Sequence, residues 1–193
     1  MRRPTERQLA REVTWSNRPI LSSEIDGGRR VIRATGRRTV VSDPNFESFN
    51  HESHMRRAFE LAREATDRGD RPYGSVLVRD DEIVIGDSNR VRTEDDVRRH
   101  PELHLAYRAC REFDPDERAA TAMYTSTEPC PMCAGGMRTA AFGRVVYSVG
   151  GDELPDFGRD EPSVRSATIL DCVTEVVGPV LNDEGRRIHH EFD

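Results

Sequence analysis

The pattern of apolar and polar positions changes near residue 50. Before that point apolar residues are sparse, and the pattern is broken by Pro4, Pro19, Pro44 and the pair Gly27-Gly28. Residues 1–49 are therefore predicted to be a poorly structured extension, whereas residues 50–193 show the regular periodicities of one folded domain.

The first regular element of that domain is a helix. Apolar side chains recur at helical spacing from Met55 to Ala65, with Asn50 or Ser53 as the N-terminal cap and Gly69 as the stop. Further helices are predicted over 101–113, 131–142 and 182–192.

Runs of apolar and β-branched residues predict the strands that alternate with these helices. They cover 73–79, 83–86, 122–126, 144–149 and 173–177. Asp80-Asp81 predicts a turn, 91–99 a polar loop, and 150–168 shows no clear pattern. The order predicts an α/β fold in which helices cover both faces of a five-stranded sheet.

Charge separates the same two regions. All 29 basic residues are Arg; residues 1–50 carry a net charge of +4 and residues 51–193 a net charge of −10. A net charge of −10 opposes contact with a polyanion, which favours a small substrate for the folded domain. The basic extension keeps open the alternative of a nucleic-acid-binding arm. No stretch is long and apolar enough for a membrane helix, and the first ten residues lack a secretory signal pattern, so a cytoplasmic location is expected.

Two short segments bring together residues that bind metals and move protons. They are His100-Pro101-Glu102 and Pro129-Cys130-Pro131-Met132-Cys133. Proline is common at the first position of a helix, so His100 and Cys130 are expected at helix N-termini. The helix dipole there favours thiolates, which are metal ligands.

Two thiolates and one imidazole suit Zn²⁺, and three protein ligands leave the open position of a catalytic site. Zinc can lower the pKa of a bound water to near 7, and Glu102 is then placed to shuttle protons. Positions i and i+2 of a helix point about 200° apart. Glu102 can therefore face the site only if His100 lies at the cap, outside the helical repeat.

His-x-Glu followed by Pro-Cys-x-x-Cys resembles the signature of the cytidine deaminase-like superfamily. The similarity is greatest to the branch that holds guanine, cytosine and tRNA adenosine deaminases. It implies a three-layer α/β/α fold with a five-stranded mixed sheet, and a zinc-dependent hydrolytic deaminase that releases ammonia from a purine or pyrimidine base or nucleoside. It also implies a homodimer. Pro101 departs from the family, which usually has Ala there.

The resemblance also implies substrate-binding residues. Asn89 corresponds to an Asn that contacts the substrate in the family, and the backbone near Tyr73-Gly74 and Thr127-Glu128 is expected to line the pocket. His189, His190 and Phe192 are candidates for a C-terminal cover, with a frayed helix as the alternative. Cys110 and Cys172 are expected to be buried, and His104 to lie on the helix surface or beside a ligand.

Two other functions remain open from the sequence. A tRNA adenosine deaminase would use the basic extension to hold RNA. A non-catalytic, zinc-stabilised binding module would fill the fourth metal position with a protein ligand and would not need Glu102.

Overall fold

The computed structural model describes residues 22–26, 29–33 and 44–192, and the chain divides into two units, Met1–Ser42 and Asp43–Asp193. In the first unit, β1 (Ser22–Asp26) pairs antiparallel with β2 (Arg29–Arg33). The prediction of an irregular extension is wrong for these two segments. Gly27-Gly28 lies between these segments in the sequence, and a Gly-Gly pair between two strands is a sequence pattern typical of hairpins. The rest of the predicted extension up to residue 43 lies outside the described residues.

The domain boundary was predicted between residues 49 and 50, but the second unit begins earlier, at Asp43. Phe46 begins a 3₁₀ turn (Phe46–Ser48) and Phe49 follows it. Both are buried in the core of this unit, with their rings 5.4 Å apart edge to face. Two isolated aromatics carry no periodicity, so the pattern could not assign them to the domain.

Over residues 44–192, five strands and seven α-helices build the second unit. The strands are β3 (Gly74–Arg79), β4 (Glu82–Ser88), β5 (Ala122–Thr127), β6 (Arg144–Val149) and β7 (Glu175–Val177). The longer helices are α1 (His51–Asp67), α3 (Pro101–Glu112), α5 (Pro131–Ala140) and α7 (Asn182–Phe192). The short helices are α2 (Val91–Glu94), α4 (Pro115–Ala119) and α6 (Ser166–Leu170).

Local chemistry explains the best-predicted elements. The Asn50 side chain accepts a hydrogen bond from the Ser53 N–H and caps α1, as expected. Asp80 and Asp81 both have positive φ, 55° and 61°, and form the two-residue connection between β3 and β4. This conformation matches the twist of a hairpin, and Asp tolerates it better than most residues.

The strands form one mixed sheet in the order β4-β3-β5-β6-β7, which confirms the predicted fold class. β3 is antiparallel to β4 and β5, whereas β5, β6 and β7 are parallel. The start of β3 therefore lies beside the end of β5.

Helices pack on both faces of this sheet and produce two hydrophobic cores. On one face α1 and α7 bury Phe59 and Ile188 against Val76 and Tyr124. On the other face α3, α5 and α6 bury Leu105, Met137 and Leu170 against Met123 and Val145. The unit is thus the three-layer α/β/α arrangement that was predicted.

The connections differ most from prediction. The loop expected over 91–99 contains α2 and a 3₁₀ turn at Val97–Arg99, and the ambiguous segment contains a 3₁₀ helix at Gly151–Phe157 and helix α6. These elements are too short to show a periodicity. In the described residues, no helix has the length and apolar character needed to cross a bilayer.

Candidate metal centre and active-site cavity

The beginnings of α3 and α5 meet at the end of β5 and bring three potential metal ligands together. His100 caps α3 and Cys130 caps α5, each in extended backbone conformation and each followed by proline at the first helical position. With Cys133, one turn into α5, their ligand atoms all lie within 4.8 Å of one another, and the two sulfur atoms are 3.5 Å apart. This donor set can hold a metal ion.

Glu102 lies beside this cluster. Because His100 is at the cap, with φ −62° and ψ 126°, it stands outside the helical repeat, and the geometric condition set by the sequence is met. Glu102 is 4% exposed, and its Oε2 lies 3.5 Å from Cys133 Sγ. The Thr125 hydroxyl donates to its Oε1 over 3.0 Å. The carboxyl group is therefore held against the ligands by neighbouring strand β5.

The environment changes the protonation of each group. Hydrogen bonding with Cys133 lowers the pKa of the Cys130 thiol to about 4, with a further contribution from His100. The same hydrogen bond raises the pKa of Cys133, and burial raises the pKa of Glu102. Glu102 therefore holds a proton more readily than an exposed carboxyl.

A cavity of about 400 Å³ opens above the cluster. His100, Glu102 and Cys130 form its floor, and Tyr73 and Thr127 stand in its wall. The remainder comes from the segment after β6, which contributes Leu154 and the residues from Gly158 to Ser163, together with Arg71, Glu128 and Pro131. A floor that carries two of the three potential ligands and a protonatable carboxyl makes this cavity the candidate active site.

Three of the five predicted substrate residues line this cavity: Tyr73, Thr127 and Glu128. Gly74 does not, because it is in close contact with α1; a Cβ there would meet Ala58 O at 2.3 Å. Asn89 does not line the cavity either. It is 1% exposed, and its Oδ1 accepts a hydrogen bond from the Val91 N–H. The role of these two residues in substrate binding stays a prediction.

Glu128 has a structural partner set that sequence could not reveal. Its carboxylate accepts hydrogen bonds from the Arg165 guanidinium, from the Ser166 N–H and hydroxyl, and from the Gly151 N–H. Gly151 and Ser166 enclose the segment that contributes Leu154 and residues 158–163 to the cavity. Both ends of this 151–166 segment are therefore hydrogen-bonded to Glu128, which directly follows β5. The ion pair with Arg165 helps keep the pKa of Glu128 below its ordinary value, against the opposing effect of burial.

His189 reaches the back of the cavity wall from α7. Its ring is 1% exposed, stacks on Phe157 at 4.8 Å and contacts both Thr127 and Arg159. The frayed-helix alternative is therefore wrong for His189. His190 is exposed, with its ring edge on Phe157, and Phe192 lies beneath the Arg159 guanidinium.

Other expectations are corrected or refined by the structure. Cys110 and Cys172 are exposed rather than buried. His104 bonds through Nδ1 to Asp87 and through Nε2 to Arg99, so both ring nitrogens have protein partners. Arg159 was not singled out at all, since it lies in the segment without periodicity.

Comparison with known proteins agrees with this geometry. Residues 49–176 match the MafB19-like deaminase family. The chain belongs to this family. It is thus a hydrolytic deaminase of the cytidine deaminase-like superfamily, as the two motifs predicted.

Individual relatives support the assignment. The chain is 34% identical to a guanine deaminase of Bacillus subtilis over 58% of this chain and 72% of that protein. It is 30% identical to a tRNA-specific adenosine deaminase of Agrobacterium fabrum over 72% of this chain and 90% of that protein. The solved guanine deaminase of Nitrosomonas europaea, at 19% identity, shares the fold with a TM-score of 0.63 over 73% of this chain and 83% of that one.

Proposed function

We propose that this deaminase acts on a free purine or pyrimidine base or a nucleoside and releases its exocyclic amine as ammonia. One observation carries the proposal: three potential ligands converge, and two of them, His100 and Cys130, line a cavity of about 400 Å³ together with the buried Glu102 carboxyl. That volume suits a small ring compound. The net charge of −10 over residues 51–193 also favours a small substrate over a polyanion.

The residues at the floor fit a zinc ion. Two sulfur donors and one imidazole are a donor set that zinc prefers, and three protein ligands leave a position for water or substrate. His100, Cys130 and Cys133 would hold the ion. When bound, zinc would lower the pKa of a water molecule at the open position to near 7.

Glu102 is proposed to move the protons of the reaction. Its carboxylate lies in the floor of the cavity and can accept a proton from the attacking water. It then delivers that proton to the ring nitrogen and assists departure of the amine, so that water and the amine-bearing ring give a carbonyl-bearing ring and ammonia. The hydrogen bond from Thr125 fixes the orientation of the carboxyl during both transfers.

Ammonia release by the zinc-loaded protein tests the proposal. The substrates are cytosine, cytidine, guanine, guanosine, adenine, adenosine and a tRNA anticodon stem-loop. Turnover of at least one small compound should fall about 10²–10⁴-fold in Glu102→Gln. Glu112→Gln is the matched control, since Glu112 lies on α3 and pairs with Arg108 at the surface. Absence of ammonia release from every small compound would contradict the proposal.

A tRNA adenosine deaminase is the second candidate, because the relative from Agrobacterium fabrum carries that activity. Turnover of the stem-loop alone would support it. The binding-module alternative does not agree with the family assignment. The homodimer and the cytoplasmic location stay predictions.

A further inference from the structure

The hydrogen bonds of His189 determine which of its ring nitrogens carries the proton. Nδ1 lies 2.6 Å from Arg159 Nη1, and Nε2 lies 2.9 Å from Thr127 Oγ1. A guanidinium has N–H donors and no acceptor, so Nδ1 must accept. The hydrogen of a neutral ring is then on Nε2, which donates to the Thr127 oxygen.

Packing keeps the ring in this state. His189 is 1% exposed and lies between the rings of Phe157 and Tyr73, at 4.8 and 6.0 Å. Burial and the adjacent Arg159 charge lower the pKa of His189 to about 3, so the ring is neutral near pH 7. A ring flip would place carbon atoms against both partners and lose both hydrogen bonds.

The consequence reaches the cavity through Thr127. A hydroxyl has one hydrogen to donate, and the Thr127 oxygen already accepts the hydrogen of His189. Its own hydrogen is therefore directed to a different acceptor. Thr127 and Arg159 both line the cavity, so this wall presents hydrogen-bond donors, whereas the floor presents the Glu102 carboxyl.

We propose that the donor wall formed by Thr127 and Arg159, held in place by His189, recognises a carbonyl oxygen on the substrate ring. This inference rests on the proposed function and narrows it. The amine to be removed must lie at Glu102, so the wall meets another part of the ring. Guanine and cytosine carry a carbonyl oxygen, and adenine does not. The enzyme should therefore prefer oxopurines or oxopyrimidines to adenine, because a site built to hydrogen-bond one group discriminates against an analogue that lacks it.

Kinetic selectivity tests this directly. In Thr127→Val, kcat/KM for the preferred oxo base should fall about tenfold or more, whereas that for adenine should change by less than about threefold. The selectivity ratio is kcat/KM for the preferred oxo base divided by kcat/KM for adenine. Thr127→Ser keeps the hydroxyl and should keep this ratio near the wild-type value. His189→Phe fills similar space without either hydrogen bond and should lower the same ratio.

The matched control is Thr174→Val. Thr174 is also buried, and its hydroxyl has no hydrogen-bond partner in the described residues. The same change of side chain there should leave the ratio unaltered. Preference for adenine or adenosine, or an equal loss on all bases in Thr127→Val, would overturn the inference while leaving the deaminase activity intact. Absence of all small-molecule turnover would instead count against the proposed function.

A spectroscopic measurement tests the same inference without turnover. Long-range ¹H–¹⁵N spectra of the protein should show His189 Nε2 as the protonated nitrogen and Nδ1 as the unprotonated one at pH 7. In His189→Phe these signals disappear, which assigns them. A hydrogen on Nδ1 would contradict the arrangement, since Arg159 cannot accept it.

Discussion

Glu102 Oε2 lies 3.5 Å from Cys133 Sγ, although the two residues begin different helices and are separated by strand β5. The contact exists because α3 and α5 both start at the same end of the sheet. It places the carboxyl group of Glu102, the proposed proton carrier, directly beside the proposed metal ligands. Metal binding and proton transfer are assigned to different side chains, so each can be tested by its own substitution.

Metal content should depend on the three ligands and not on the other cysteines. Cys133→Ser is expected to remove a hydrogen-bonded thiol ligand and to reduce bound zinc from about one equivalent to a small fraction. Elemental analysis of purified protein measures this. Cys110→Ser and Cys172→Ser are the controls, because both thiols are exposed and outside the cluster. Full zinc retention in Cys133→Ser would refute the assignment.

Gly74 should be intolerant of a side chain for a reason of packing. A Cβ at this position would meet Ala58 O at 2.3 Å and Ala62 N at 2.5 Å, both backbone atoms of α1 that cannot rotate away. Gly74→Ala is expected to lower the free energy of unfolding by about 1–3 kcal/mol or more. Urea denaturation measures the change.

Gly135 provides the contrast. It lies within α5, and a Cβ there meets nothing within 4 Å. Gly135→Ala should leave stability unchanged or raise it by about 0.5–1 kcal/mol, because alanine favours a helix over glycine. Equal effects at the two positions would contradict the packing argument.

Loss of Arg165 should destabilise the 151–166 segment, which lines the cavity. In Arg165→Met the buried Glu128 keeps its bonds to Ser166 and Gly151 but loses its cation. The Arg165 side chain is 36% exposed, so the cost is expected to be about 1–3 kcal/mol, below that of breaking a fully buried pair. Arg108→Met, which breaks a surface pair with Glu112, should cost less than about 0.5 kcal/mol. Urea denaturation of both variants measures the two losses in the free energy of unfolding. Equal losses would contradict the prediction.

His189 should make stability fall in acid. Its pKa is lowered in the folded protein to about 3, so between about pH 6.5 and pH 3 the unfolded chain binds a proton that the folded chain does not. The stabilisation is complete above pH 6.5 and is lost as the pH falls. Between pH 6.5 and pH 4.5, wild type should lose on the order of 2–3 kcal/mol more than His189→Gln. Parallel pH dependences of the two proteins, measured by urea denaturation, would show that His189 is not buried in neutral form.

The regular elements, and the helix-start positions of His100 and Cys130, were predictable from the sequence for local reasons. His100 and Cys130 precede prolines at helix starts, and Asp80-Asp81 forms a turn that needs no distant contact.

The cavity wall was harder to predict because it depends on contacts distant in sequence. Arg159 lies in a segment without periodicity, and its position depends on His189, which comes from the last helix. Phe46 was missed because burial of a lone aromatic is decided by the tertiary fold. Cys110 was expected in the core from residue type alone, yet it occupies an exposed position on α3.

The prolines after His100 and Cys130 have a consequence for the metal-free protein. Proline restricts the residue before it to extended backbone even in an unfolded chain, and both residues have that conformation here, with ψ 126° and 164°. Much of the conformational entropy of ordering these two ligands is thus removed by covalent structure rather than at the moment of metal binding. The backbone of the centre is preorganised, and release and rebinding of an ion would require little rearrangement of the chain.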